Sequence, residues 1–215
     1  MKGAYPKSKV IVIALAVVAW FGVLLQLVIT LRAAMLNGKG AIEGIISYLG
    51  YFTILTNLLV CIALTLPLFV PVSAGGRFFS RSDTAAGVTN SIVFVCLAYH
   101  FLLRNVWNPQ GWQLLADTLL HYVMPALYLI YWWFYFPRVA LRWSSPLIWC
   151  LYPAVYLVYV LIRGAIIGSY PYGFIDPIAI GYQRTMINAV GLLAVFIALG
   201  LFLVALGRLQ RRIAA

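Results

Sequence analysis

The chain has 215 residues, of which 65% are hydrophobic and 9% are charged. A soluble domain carries roughly 25% charged residues, so this composition excludes one. The formal net charge is +11, yet the basic residues stand singly or in pairs beside apolar runs rather than on one face, so no nucleic-acid partner is expected.

The charges divide the chain into uncharged intervals at 10–31, 44–76, 84–103, 118–137, 143–162 and 185–207. Each can cross a bilayer, since a spanning helix needs ~20 mostly apolar residues at ~1.5 Å rise per residue. The run from Leu192 to Leu199 does not alternate in polarity as a membrane β-strand does. The expected fold is an all-α membrane protein, a single six-transmembrane-helix bundle over residues 1–215, with helices near 10–31, 45–70, 86–103, 116–136, 147–167 and 186–207. The first run, behind Lys2, Lys7 and Lys9, exceeds the ~7–15 residues of a signal core. Arg32 stops it, which predicts a retained helix.

Lys2, Lys7, Lys9, Arg77, Arg81, Arg138, Arg142, Arg208, Arg211 and Arg212 fall on the side of both termini, against Arg32, Lys39, Arg104, Arg163 and Arg184 on the other. Basic flanks resist translocation, so both termini are expected in the cytoplasm, with the cations touching anionic lipid. Cys61, Cys96 and Cys150 lie inside apolar stretches without metal-like spacing, and they read as packing residues. No metal and no cofactor is expected. Between the spans, the connections on the terminal side look like plain turns, whereas 104–112 and 169–177 mix aromatic residues with Pro and Gly. Such loops suit a rigid cap at headgroup level.

Polar groups inside a bilayer are costly without partners, so their positions are informative. Most cluster toward the non-terminal side. Thr53 and Asn57 share a face of the second span, with Ser47 and Gly50 extending it and Thr56 beside it. His100 and His121, the two histidines of the chain, sit four residues from Arg104 and Asp117 respectively, so each pair shares a helix face. Tyr152, Tyr156, Tyr159 and Arg163 form a stripe on the fifth span, and Arg184 and Asn188 open the last. Counted from Pro71 and Pro137, Thr53 and His121 lie at about 27 and 24 Å along their helices, which places them at one level.

A Thr hydroxyl needs a neighbouring base to act as a nucleophile, and neutral imidazole is the natural one near pH 7. Asp117 is placed to orient His121 or to stabilise its charged form. Asn57, Arg104 or Arg163 would bind an oxyanion or hold a carboxylate. Each has a plainer reading as well. Thr residues in membrane helices usually bond their own i−4 carbonyl, histidines satisfy interhelical bonds, a Tyr stripe packs a bundle, and rim charges pair.

The strings Tyr51-Phe52-Thr53-Ile54-Leu55-Thr56-Asn57, Leu120-His121-Tyr122-Val123-Met124-Pro125 and Tyr170-Pro171-Tyr172-Gly173-Phe174-Ile175-Asp176 resemble a prokaryotic family of six-helix membrane proteins. That family is distantly similar to the animal androgen-induced protein and its ADTRP relative, which hydrolyse fatty acid esters of hydroxy fatty acids. The resemblance implies a Thr nucleophile at Thr53, a His at His121, a fatty-acyl substrate and a bacterial plasma membrane location. The expected function is a lipid-ester hydrolase with its cavity in the outer leaflet. The competing expectations are a lipid or small-molecule binding or transport protein and, further off, a haem protein ligated by His100 and His121. Transporters often carry internal repeats and interrupted helices, and neither is legible in this sequence.

Overall fold

The computed structural model describes residues 8–136 and 141–213. Helix α1 runs over Lys9–Leu36, α2 over Ala41–Leu49 and α3 over Phe52–Phe69, followed by the short α4, Ala74–Phe79. Helix α5, Ser82–Ala98, continues through a π-helical turn at Tyr99–Leu103. Helix α6, Gly111–Thr118, passes through a second π turn at Leu119–Val123 into α7, Met124–Tyr135. Helices α8, Ser145–Trp149, and α9, Leu151–Ile167, are nearly continuous. A 3-10 turn at Gly173–Ile175 and α10, Pro177–Ile180, lead into α11, Tyr182–Ile213.

No strand occurs among the described residues. Six helical stretches are long and apolar enough to cross a membrane: Lys9–Leu36, Phe52–Phe69, Ser82–Leu103, Gly111–Tyr135, Ser145–Ile167 and Tyr182–Leu209. Their partition is the reverse of a soluble protein's. Val10, Val17 and Leu24 of α1 and Val155, Val158, Ile162 and Ile166 of α9 are exposed, while Thr56, Thr89, Asn90 and Thr185 are fully buried. A hydrocarbon solvent accepts the first group freely and makes every unpaired polar atom costly. The interior hydroxyls are accordingly bonded along their own helices: Thr65 to Cys61 O at 2.7 Å, Thr89 to Ala85 O at 2.8 Å, Ser91 to Gly87 O at 2.9 Å and Thr185 to Gly181 O at 2.9 Å. Asn90 instead reaches across to Phe196 O at 3.2 Å, joining α5 to α11. Lys2, Lys7 and Arg138, and the side chains of Arg211 and Arg212, on which the count of basic flanks partly rests, lie outside the described residues.

The helix expected over 45–70 is corrected by the structure, which interrupts it. Gly50 ends α2, and Tyr51, at φ −87° and ψ 130°, is extended and serves as the N-cap of α3. An interruption frees carbonyls on one side and N–H groups on the other, and each is costly to leave without a partner away from water. The stripe on α9 supplies them. Arg163 donates from Nε and Nη2 to Ile46 O at 3.2 and 3.0 Å, Tyr159 OH to Leu49 O at 3.2 Å, and Tyr156 OH to Gly50 O at 3.0 Å. A fourth member, Tyr152, meets Thr56 Oγ1 at 3.0 Å. Glycine at residue 50 lets the guanidinium come this close, since a Cβ there would lie 2.8 Å from Arg163 Cζ and the side chain would have to move aside. The missing signal in the sequence was tertiary: the donors that make the break tolerable sit more than a hundred residues away.

The two π turns have local causes as well. Pro125, at the start of α7, has no N–H to offer His121 O, and Met124 N bonds back to Leu119 O across the wider turn. In the other, Arg104 N reaches Tyr99 O at 2.8 Å. Beyond α9, Gly168 at φ +74° reverses the chain. The following loop folds onto the bundle end, with Tyr172 and Ile175 buried and Phe174 O held by Asn188 Nδ2 at 2.8 Å.

Tyr156→Phe keeps the ring and removes the donor to Gly50 O. It is expected to lower stability by about 1–3 kcal/mol, the cost of an orphaned buried carbonyl, read as a fall in the thermal midpoint of the detergent-purified protein. Tyr159→Phe, at a more exposed carbonyl, should cost less.

Candidate functional site

At the bundle end that carries the 104–110 and 168–181 connections, a cavity of about 310 Å³ opens between α1, α3, α5 and α6. Thr53 and His121 both line it, together with Asp117, Tyr99, Tyr172 and an amide pair from Gln26 and Gln113. The two residues that depth and chemistry matched in the sequence therefore share one hollow.

Thr53 is the second residue of α3. It owes that place to the interruption at Gly50–Tyr51, which sets the positive end of a helix at its backbone. The phenol of Tyr172 sits against it, accepting from Thr53 N at 3.4 Å with the Thr53 side chain also in hydrogen-bonding contact. Burial pushes the Tyr172 phenol up to about 12, against the lowering effect of these bonds to Thr53. Tyr172 is therefore a neutral donor at every physiological pH.

His121 lies in the second π turn, where its Nδ1 is 3.0 Å from Asp117 O and 3.3 Å from Asp117 Oδ1. A carbonyl oxygen only accepts, so Nδ1 carries the proton. Nε2 is then the basic nitrogen of a ring that lines the cavity. Oδ1 of Asp117 has no other hydrogen-bond partner among the described residues, which leaves it as the counter-charge beside the ring. Oδ2 accepts from Tyr99 OH at 2.5 Å. The Tyr99 ring in turn stacks on His121 with centroids 3.8 Å apart, and its hydroxyl takes a bond from the Trp107 side chain. The chain of contacts Trp107, Tyr99, Asp117, His121 holds the imidazole in one orientation and one tautomer.

One buried side chain ties the two halves together. Asn57, 1% exposed, donates from Nδ2 to Thr53 O at 2.9 Å and to Leu120 O at 3.2 Å. The amide thus bridges the first turn of α3 to the residue preceding His121. It does not line the cavity, so its effect on the site is positional.

The other residues expected to support the site lie elsewhere. Thr56 is fully buried and bonded to Tyr152. His100, in the first π turn, accepts from Arg104 Nη1 at Nε2 at 3.1 Å, which leaves Nδ1 to donate to Tyr122 OH at 3.3 Å. Both nitrogens are engaged, and His100 does not line the cavity with His121, so an iron held by both would have to break these bonds. Arg163 is occupied by Ile46 O and, through Nη1, by Ser169 O at 3.2 Å. Asn188 holds the loop through Phe174 O.

Sequence reasoning missed Tyr99, Tyr172, Gln26 and Gln113 as cavity residues. A signal existed for Gln26, the one amide in the 10–31 run. It pairs with Gln113 in both directions, at 2.8 and 3.4 Å. Tyr172 lay in the 169–177 loop already marked by its aromatic residues, whereas Tyr99 carried no signal, being one of the 14 tyrosines in the chain.

A second cavity, of about 80 Å³, adjoins the first. Thr53, Tyr99, Leu103 and Tyr172 line both. Comparison of the chain with protein-family models, with curated proteins and with solved structures finds no match.

Asn57→Ala removes both bridging bonds without altering the cavity wall. It should cost about 1–3 kcal/mol for the loss of the bond to Leu120 O, since Thr53 O keeps its helical partner, measured as loss of thermal stability. Asn57→Asp, which cannot donate to those carbonyls when ionised, should be no better.

Proposed function

We propose that the protein is a membrane-embedded hydrolase of lipid esters in which Thr53 is the nucleophile and His121 the general base. The observation that carries this reading is the single cavity lined by a threonine at a helix N-terminus and a histidine whose free nitrogen is fixed by Asp117. Thr53 Oγ1 attacks the ester carbonyl carbon and gives its proton to His121 Nε2. The charged ring is stabilised by Asp117, whose Oδ1 lies 3.3 Å from Nδ1. Negative charge on the former carbonyl oxygen meets the α3 N-terminus and the Tyr172 phenol. Collapse of the tetrahedral species expels the alkoxide, which takes the proton from His121. Water, deprotonated by the same nitrogen, then cleaves the acyl-threonine ester and frees the acid.

The protein is proposed to reside in a bacterial plasma membrane with both termini cytoplasmic. The excess of basic residues on the terminal side supports that orientation. The catalytic cavity then lies toward the outer leaflet.

The test is cleavage of 4-nitrophenyl esters by purified protein. Thr53→Ala and His121→Ala should each lower kcat/KM by roughly 10³-fold or more while the fold, checked by thermal melting, persists. Thr56→Val should stay within a few-fold of the parent. Full activity in either of the first two variants would remove the assignment.

Tyr172→Phe should lower kcat by roughly 10²-fold with little change in KM, as loss of a single oxyanion donor does. Because burial holds that phenol near 12, the parent rate should show no alkaline decline from this group at the ordinary phenol value of 10.0. A pH–rate profile of kcat reads this directly.

A further inference from the structure

Resting on the hydrolase reading, we propose that the substrate joins an apolar acyl chain to an uncharged, hydrogen-bonding alcohol. The acyl chain lies in the smaller cavity between α3, α5, α9 and α11, and the alcohol lies in the larger cavity between α1 and α6. Thr53 stands where the two meet.

The smaller cavity offers an entering group almost nothing to bond. Its floor is the edge-to-face pair Phe94 and Phe196, with centroids 5.4 Å apart, and its sides are leucines of α9 and α11. Two of its tyrosines have their hydroxyls committed, Tyr99 to Asp117 and Tyr156 to Gly50 O. Polar character is left only at the Thr53 and Tyr172 end. At roughly 25–30 Å³ per carbon, the ratio at which a cavity of about 150 Å³ holds benzene, its volume of about 80 Å³ holds ~3 carbons. Leu157, Leu192 and Leu193 are only half-buried, so the cavity borders the lipid-facing surface between α9 and α11, where a longer chain would continue.

The larger cavity is apolar over most of its wall as well, through Ile54, Leu103, Val106 and Leu120, but it adds polar groups that the smaller one lacks. Gln26 and Gln113 bond each other in both directions and Gln26 Nε2 also donates to Thr30 Oγ1 at 3.2 Å, which among the described residues leaves one N–H of Gln113 and a lone pair on each amide oxygen for an entering hydroxyl. Among the described residues, no Lys or Arg lines it, and the charged group that does is Asp117. Arg104 is turned to His100 and Arg163 to the carbonyls of Ile46 and Ser169. A carboxylate or phosphate on the alcohol half would enter a partly buried space beside an acid and without a cation, which disfavours it. Glycerol-like hydroxyls meet complementary amides. The carboxylate-bearing alcohol that the family resemblance implies is thus the wrong sign for this hollow.

The test uses the full chain in phosphatidylcholine nanodiscs with two esters of one acid, monooctanoylglycerol and the octanoyl ester of hydroxydodecanoic acid. The glycerol ester should have the higher kcat/KM by roughly 30-fold or more, the discrimination expected of a site left with an unpaired buried charge. Gln113→Arg should shrink or reverse that ratio, with Gln26→Lys serving if the first variant fails to fold. Leu193→Trp should slow monooctanoylglycerol by roughly 10-fold and spare monoacetylglycerol. Equal or better cleavage of the acid-bearing ester, or equal slowing of both glycerol esters by Leu193→Trp, would overturn the proposal. If the parent protein cleaves none of these esters, the hydrolase reading falls by itself. The placement is then decided by a diazirine-bearing octanoyl glycerol ether photolysed with Thr53→Ala: label on α9 and α11 peptides upholds it, and label on α1 and α6 refutes it.

Discussion

A backbone carbonyl in an apolar solvent must be bonded, and the interruption between α2 and α3 exists because α9 meets that demand. Arg163, Tyr159 and Tyr156 take the carbonyls of Ile46, Leu49 and Gly50 in turn. The hydroxyl of Tyr172 serves the N–H side at Thr53. Without those donors the chain would have every reason to run on as one helix, since the alternative leaves several backbone polar groups unpaired. Thr53 would then lie mid-helix, its N–H bonded to the carbonyl of Leu49 and its surroundings stripped of any helix-end polarity. The functional character proposed for Thr53 is thus a product of a stripe on another helix.

The imidazole side of the hollow is built by a different device. Pro125 withholds one N–H, the backbone widens by one residue, and the π turn carries His121. Such turns recur at functional sites because they displace a side chain from the regular helical face while keeping the helix continuous. Tyr99 then stacks on the ring while its hydroxyl binds Asp117. The buried acid is therefore solvated by a phenol and by its neighbouring histidine instead of water, which makes its burial at 3% exposure tolerable.

Much of the architecture was legible from charge spacing alone, because six intervals without charges admit little except six spanning helices. The matching depth of Thr53 and His121 was legible too, since helical rise is constant. What could not be read was whatever depends on a distant partner. Gly50 looked like one more member of a polar face, whereas its lack of a side chain makes room for Arg163. The Tyr152–Tyr159 stripe was visible as a stripe, and packing was a fair reading of it, but periodicity does not say that two of its hydroxyls end on the carbonyls of Leu49 and Gly50 and the third on the hydroxyl of Thr56. His100 and Arg104 looked like site residues because they lie near the correct level; depth reports height and says nothing about azimuth. The helix ends also ran past the charges. Helix α1 continues beyond Arg32 to Leu36, as a basic side chain near a membrane boundary can extend its charge outward without ending the helix.

The amide of Asn57 holds the main chain on both sides of the hollow, at Thr53 and at Leu120. A clasp of this kind couples the two strands of backbone at the one height where their spacing matters. Any shift of α3 against the helix that carries His121 must break a bond from this one amide, so the height at which the hydroxyl and the ring face the hollow is tied to a single pivot.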